Sequence, residues 1–275
     1  MAEQFTGIDM PLAEYHANHA IGKTTLDLIA KDPFLVEWAR NAPVDQDKMA
    51  ALDIGDAFHA ALLEPARFAT TFVVAPEFNM RTNDGKAACK AFADQNAGKK
   101  ILSADDKRML DMMVESVMAH PQARELVDAD GHVERSFFWS DADTGLECKC
   151  RPDKFIPARS LLVDVKTTPS IAKFSYSVED FRYYVQDPWY CDGVSQFGDD
   201  VTMAFLVVQK SAELGRYPVQ VFTLPQDLIL FGRQTYRRDL TRYSRFLAGK
   251  DRQIQELPVH YRFIDHCVEH LEITT

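Results

Sequence analysis

Asp164 and Lys166 stand two residues apart in the stretch LLVDVKTT, residues 161–168. The stretch is apolar and rich in β-branched residues, so it reads as a buried strand. Side chains two apart on a strand point to the same face. A buried charge is costly unless it is paired or holds a metal, which makes a carboxylate and an ammonium side by side informative. The preceding segment, CKCRPDKFIPARS, holds a second acid, Asp153. PARS is a turn candidate. With Pro157 and Ser160 flanking the turn, antiparallel pairing sets Asp153 opposite Asp164 and Arg151 opposite Lys166, with Cβ atoms about 5 Å apart. Two carboxylates that close repel unless a cation lies between them, so removing either should relieve repulsion in the metal-free protein. Oxygen donors of this kind suit Mg2+ or Mn2+. Strand alternation puts Lys149 and Arg151 on the face of Asp153, and the hairpin would then present two acids and three bases on one surface. That arrangement suits phosphodiester hydrolysis: a metal activates water, while the lysine orients it or stabilises developing charge. The competing reading is a solvated salt-bridge ladder on an open sheet face.

The elements that must position these groups alternate in a recognisable order. GKTTLDLIAKDPFLVEWAR reads as a helix starting near Thr24 and interrupted near Pro33, and LDIGDAFHAALLEP as a second helix stopped by Pro65. The segment from Thr70 to Gly98 is rich in turn formers and reads as loop. Ser103 with Asp106 forms a capping-box pattern that opens a helix stopped by Pro121. Three strands follow, HVERSFFWS, LECKCRPDKFI and SLLVDVKTT. A helix over SVEDFRYYVQDPWYCDGV has Ser177 as its expected cap. Two more strands, VTMAFLVVQ and RYPVQVFTL, precede a long final helix from Pro225 to Gly249. The order predicts one α/β domain with a mixed central sheet and a helical N-terminal part.

Composition permits this and excludes other classes. The 275 residues are 46% hydrophobic and 26% charged, an ordinary globular balance. No apolar run approaches a membrane span, and the N-terminus lacks a signal-peptide apolar region. Five scattered cysteines suggest reduced thiols and a cytoplasmic protein without a disulfide framework. The net charge of −10 argues against a surface coated with nucleic acid but allows a local basic groove. The last helix offers such cations in Arg233, Arg237, Arg238, Arg242 and Arg245.

RPD, an acid further along the chain and DVKTT together resemble the PD-(D/E)xK nuclease signature, and QDPWY supplies a Gln and a Tyr four apart, like the Q-x-x-x-Y motif of its RecB-type branch. KTTLDLIAKDP, NAPVD, LDIGDAFHAALLEP, VAPEFNMRTNDGK, CKCRPDKFIP, DVKTT, YYVQDPWYCDG and LGRYPV also resemble, in order, segments of the exodeoxyribonuclease VIII nuclease family, from about Gly22 to Phe246. The resemblance implies one nuclease domain, with a helical part at about 20–125, a nuclease core at about 130–249 and a tail at 250–275 without a functional reading. It implies that His59, Asp153, Asp164 and the Val165 carbonyl hold the metal, with Glu134 facing it from one strand earlier. Lys166 would be the catalytic lysine, with Gln186 and Tyr190 supporting the site and contacting DNA. The implied activity is a Mg2+-dependent double-strand exonuclease of phage or prophage recombination, degrading the 5′-ended strand and leaving 3′ tails. A RecT-type single-strand annealing protein would be its partner, and a homotetrameric ring its assembly. The alternatives are a nuclease-fold module that binds DNA without cutting, and an endonuclease of the same fold.

Three local features bear on this reading. Cys148 and Cys150 lie on the strand face opposite Asp153, and with no second pair they read as buried thiols, not a zinc site. GKTT at Gly22 imitates the end of a phosphate-binding loop, but Ala17 occupies the place of its first glycine and no strand precedes it. Lys23, Thr24 and Thr25, at a helix N-terminus, are instead candidates for holding a DNA 5′-phosphate. Pro188 falls inside the Q-x-x-x-Y stretch, where a helix should kink or restart with Asp187 as cap.

Overall fold

Three short helices open the chain: α1 (Leu12–Ala17), α2 (Lys23–Lys31) and α3 (Phe34–Asn41). The computed structural model describes residues 5–43 and 54–250. The expected interruption near Pro33 falls between α2 and α3. A residue before proline is pushed out of the α region; Asp32 is extended (φ −160°, ψ 125°), and its side chain accepts the Phe34 N–H at 3.0 Å.

The chain divides into two compact units. Among the described residues, one takes in 5–43, 129–207 and 220–250; the other takes in 54–128 and 208–219. The second unit carries α4 (Ile54–Leu63), α5 (Pro65–Thr71), β1 (Phe72–Val74), α6 (Asn83–Gln95), β2 (Lys100–Leu102), α7 (Ala104–Ala119) and α8 (Pro121–Asp128). The Ser103–Asp106 capping box is present in both directions, at 3.0 Å each way. Pro65 and Pro121 end one helix, as expected, and each also opens the next, because proline fits the first helical position.

The loop reading of Thr70–Gly98 is overturned. Strand β1 lies there, paired in parallel with β2, and so does the 13-residue α6. The turn formers that suggested a loop are the helix's start: the Thr82 hydroxyl accepts the Gly85 N–H at 3.0 Å. Gly85 is needed there because a Cβ would lie 2.0 Å from the Asn79 carbonyl oxygen.

The first unit then builds β3 (His132–Val133), β4 (Phe137–Ser140), β5 (Glu147–Cys150), β6 (Lys154–Ile156), β7 (Leu161–Thr168), α9 (Phe174–Asp180) and α10 (Tyr183–Val194). Strands β8 (Thr202–Gln209) and β9 (Val219–Phe222) and helix α11 (Gln226–Leu247) complete the order. The five-stranded sheet runs β3-β6-β7-β8-β9, and β4 and β5 form a separate hairpin. Two segments read as single strands are thus each split between two sheets. Glu134, at φ 53°, breaks the first, and the chain bends out of strand geometry between Cys150 and Lys154 in the second. Leu162, Phe205, Phe137 and Trp189, each at most 1% exposed, tie the strands to α10 in one apolar core.

The single helix expected over residues 177–194 is two helices, α9 and α10. Ser177 lies inside α9, and Arg182 separates the two at φ 53°. Pro188 does not break α10, and Asp187 is interior to it. Proline offers no N–H to the Tyr184 carbonyl one turn back. Gly232 of α11 closes on that carbonyl so tightly that a Cβ would sit 1.7 Å from the Tyr184 oxygen and 3.0 Å from Pro188 Cγ. Gly232→Ala is therefore expected to destabilise the protein by about 1–3 kcal/mol, net of the ~1 kcal/mol that alanine gains in helix propensity. Urea unfolding should show a lower midpoint at unchanged slope. Among the described residues no helix is long and apolar enough to cross a membrane.

Candidate active site

Strands β6 and β7 pair antiparallel as Lys154↔Val163, Phe155↔Leu162 and Ile156↔Leu161, around a 3-10 turn at Pro157–Arg159 closed by Ser160 at φ 47°. This is the register read from the sequence, and its next pair would be Asp153 with Asp164. The ladder stops one residue short of that pair. The Asp153 carboxylate takes over, accepting the Val165 N–H at 2.6 Å. A residue's N–H and C=O leave an antiparallel strand on the same side, so the Val165 carbonyl points toward the edge where Asp153 sits.

Asp164 is 2% exposed, which excludes the solvated ladder. One of its oxygens accepts from the Gln186 side-chain amide. The other pairs with the Lys166 ammonium, as an ionic contact without a directed hydrogen bond. Burial would strip the proton from Lys166, but Asp164 first and Asp153 second more than offset it, and its pKa is raised. The ammonium also lies 4.7 Å from the centre of the Tyr183 ring.

Glu134 joins Asp153 from the break between β3 and β4. Its N–H donates to the Asp153 carbonyl at 3.0 Å, and their carboxylate oxygens lie within 4.8 Å. Arg151 offsets this negative charge, donating to Glu134 at 2.7 Å and to the Met10 carbonyl and Ser136 hydroxyl at 3.0 Å each. The expectation that Arg151 opposes Lys166 and that Lys149 shares the acid face is therefore corrected. β5 belongs to the other hairpin, with Phe137↔Cys150, and the bend after Cys150 turns Arg151 toward Glu134. Lys149 is 7% exposed and donates to the Tyr15 and Asn18 carbonyls at 2.6 and 2.7 Å.

Lys149 and Arg151 nevertheless border, with Lys23, Thr24, Thr25, Glu134 and Tyr190, a cavity of about 650 Å3. Gly22 precedes α2 without a side-chain cap, so the helix's N-terminal positive pole is open to a ligand. The Lys23 ammonium is already engaged by Asp27 at 2.7 Å and the Phe181 carbonyl at 2.5 Å. Burial lowers its pKa against the pull of Asp27. Tyr190, one turn beyond Gln186 on α10, keeps its phenol neutral because burial raises its pKa well above the ordinary value. His59 lies on α4 of the second unit, partly exposed between buried Phe58 and Ala60.

The α11 arginines are not free cations. Arg233 holds Asp192 at 2.7 Å, Arg237 holds Asp141 and Asp143 at 3.0 Å, Arg238 holds Asp239 and Arg242 donates to the Ile29 carbonyl. Cys148 and Cys150 are buried as expected, and burial pushes the Cys148 thiol up to about 12.

Sequence reasoning missed three participants. Tyr15 lies beneath both Lys149 and Arg151, at 4.4 and 5.6 Å from its ring centre. Tyr183 lies under Lys166. Arg182 ties α10 to Asp27 and Asp239 at 3.0 and 2.6 Å. No spacing rule marks any of them, since their partners are distant in sequence.

A sequence model of a family described as a PDDEXK-like domain of unknown function (DUF3799) matches residues 36–256. The fold is similar to a solved structure from Eubacterium rectale described as a candidate exonuclease, with a TM-score of 0.61 at 13% identity, covering 94% of this chain and 98% of that one. A phage-related exonuclease from Haemophilus somnus aligns at 10% identity over 74% of this chain and 98% of its own, with a TM-score of 0.33 that carries no weight for the fold. No curated protein matches the sequence.

Proposed function

We propose, because the chain belongs to the PDDEXK-like domain family, that it is a metal-dependent nuclease acting on linear double-stranded DNA from its ends. The observation that carries this reading is the convergence of Asp153, Asp164 and Lys166 on one hairpin, with Asp164 fully buried. The donor set fits a hard divalent cation. It is made of oxygens, and the Glu134 and Asp153 carboxylates lie within 4.8 Å of each other, a spacing that a shared hard cation would relieve. Asp153, Asp164, Glu134 and the Val165 carbonyl are the proposed ligands for Mg2+, with Mn2+ as substitute. From the resemblance alone, His59 adds an imidazole.

Once bound, the cation supplies Lewis acidity toward the phosphate and a lowered pKa for water. The protein's own groups do the rest. Gln186 fixes the Asp164 carboxylate in one rotamer. Lys166, held as an ammonium, donates a hydrogen bond where negative charge grows as water adds to phosphorus and the ester oxygen leaves. Tyr190 offers its O–H to the DNA from the cavity wall.

The finer reading rests on the resemblance: degradation of the 5′-ended strand, a 3′ tail for a RecT-type annealing protein, and a homotetrameric ring around the duplex. The uncapped start of α2, with Thr24 and Thr25, supports a seat for the 5′-phosphate. Digestion of linear duplexes labelled separately at each end type tests the whole. Release should begin at 5′ ends, require Mg2+ or Mn2+, stop in excess chelator and leave a covalently closed circle intact. Full hydrolysis in chelator would remove the metal, and a cut circle would replace the exonuclease by an endonuclease.

A further inference from the structure

Phe181 is 58% exposed, and its place is held by an unusual amount of structure. Its ring stacks on Tyr183 with centroids 5.7 Å apart and planes 25° from parallel. Tyr183 in turn stacks on core Phe205 at 5.8 Å and carries the Lys166 ammonium at 4.7 Å. A row of rings therefore leads from core Phe205 through Tyr183, over which the lysine sits, to half-exposed Phe181.

The backbone at this point is strained. Arg182 adopts φ 53°, a conformation that non-glycine residues adopt at a cost. It is held there by hydrogen bonds to Asp27 at 3.0 Å, the Leu26 carbonyl at 3.1 Å and buried Asp239 at 2.6 Å. The Lys23 ammonium pins the Phe181 carbonyl at 2.5 Å. A continuous helix through this point would need none of these contacts. The turn is locked by one ion pair to buried Asp239 and a second, part-exposed one to Asp27, and it leaves a phenylalanine on the surface. Strain of this kind, maintained by its surroundings, gathers at sites where function needs the geometry.

We infer that Phe181, backed by Tyr183, is a stacking platform for an unpaired nucleobase beside the phosphate held at Asp153, Asp164 and Lys166. The inference rests on the nuclease reading above and deepens it: the site receives a strand separated from its complement, and every base has a π-face that such a platform accepts without regard to sequence.

The test uses single-stranded oligonucleotides carrying 2-aminopurine near the 5′ end, bound to the full chain in chelator so that nothing is cut. The parent should quench the probe. Phe181→Ala should lose the quench and weaken binding roughly tenfold, while Phe181→Trp keeps both. Phe181→Leu, apolar but without a π-face, should behave as Ala; a Leu variant with parental quench and affinity would overturn stacking and leave a packing or protein-contact role. Circular dichroism melts confirm that each variant is folded. An active parent whose quench is indifferent to residue 181 sinks the platform and leaves the nuclease reading standing. A parent inert toward DNA hydrolysis that still shows quenching dependent on Phe181 does the reverse. Absence of any binding overturns the platform.

Discussion

Asp164→Ala should reduce cleavage of linear duplex by at least about 10^3-fold and should also lower the stability of the fold. The two effects have one cause. Buried Asp164 is the partner of the partly exposed Lys166 ammonium and the acceptor for the Gln186 amide. Removing one member of a buried ion pair leaves the other uncompensated, a loss of about 3–5 kcal/mol, reduced to the extent that Lys166 then gives up its proton. The sequence suggested the opposite, that deleting one of two facing carboxylates relieves repulsion. The contacts argue for the present expectation: Asp153 is tied to the Val165 N–H, while Asp164 is paired with a cation and an amide donor. Urea unfolding of the wild type, Asp164→Ala, Lys166→Met and the double variant checks this. The double variant should recover most of the lost stability; four additive values would dismiss the coupling. The pH dependence has a definite sign. The folded pKa of Lys166 is raised above 10.5, so the pair's stabilisation is complete below that value and is lost as pH rises through the raised pKa. Its contribution to wild-type stability should be flat from neutrality to about pH 10 and fall beyond it.

Lys166→Met is the second large effect. Methionine keeps the length of the stem and its contact with Tyr183 but removes the charge. Cleavage should fall by about 10^2- to 10^3-fold, while Mn2+ binding, followed by isothermal titration, persists because no oxygen ligand is lost. Cleavage by Lys166→Met at the parental rate would remove the lysine from the chemistry and leave it a structural counter-ion.

The hairpin was legible because its information is local. A turn of recognisable residues fixes the register, and the register fixes which acids meet. The breaks on either side were not legible. Glu134 and Arg182 adopt positive φ, a conformation that sequence signals only through glycine or asparagine. Arg182 is held in that state by Asp27 and Asp239, 155 and 57 residues away, and no window of neighbours contains them. The same limit explains Lys149 and Arg151: alternation was read through a bend that the residues do not announce. At Thr70–Gly98 the error ran the other way, since the residues that start a helix are those that make a turn, and only the helix after them separates the two.

The turn at Pro157–Ser160 also acts as a ruler. Ten residues separate Asp153 from Asp164, and that count, more than the identity of any residue between them, decides whether the two acids meet. A single insertion or deletion in the turn would slip the pairing by one and send one acid to the opposite face of the sheet, with every chemical group still present. The site is thus written partly as a distance along the chain. Substitution leaves that part intact and a change of length erases it, so the turn should tolerate variation in residue type far better than variation in length.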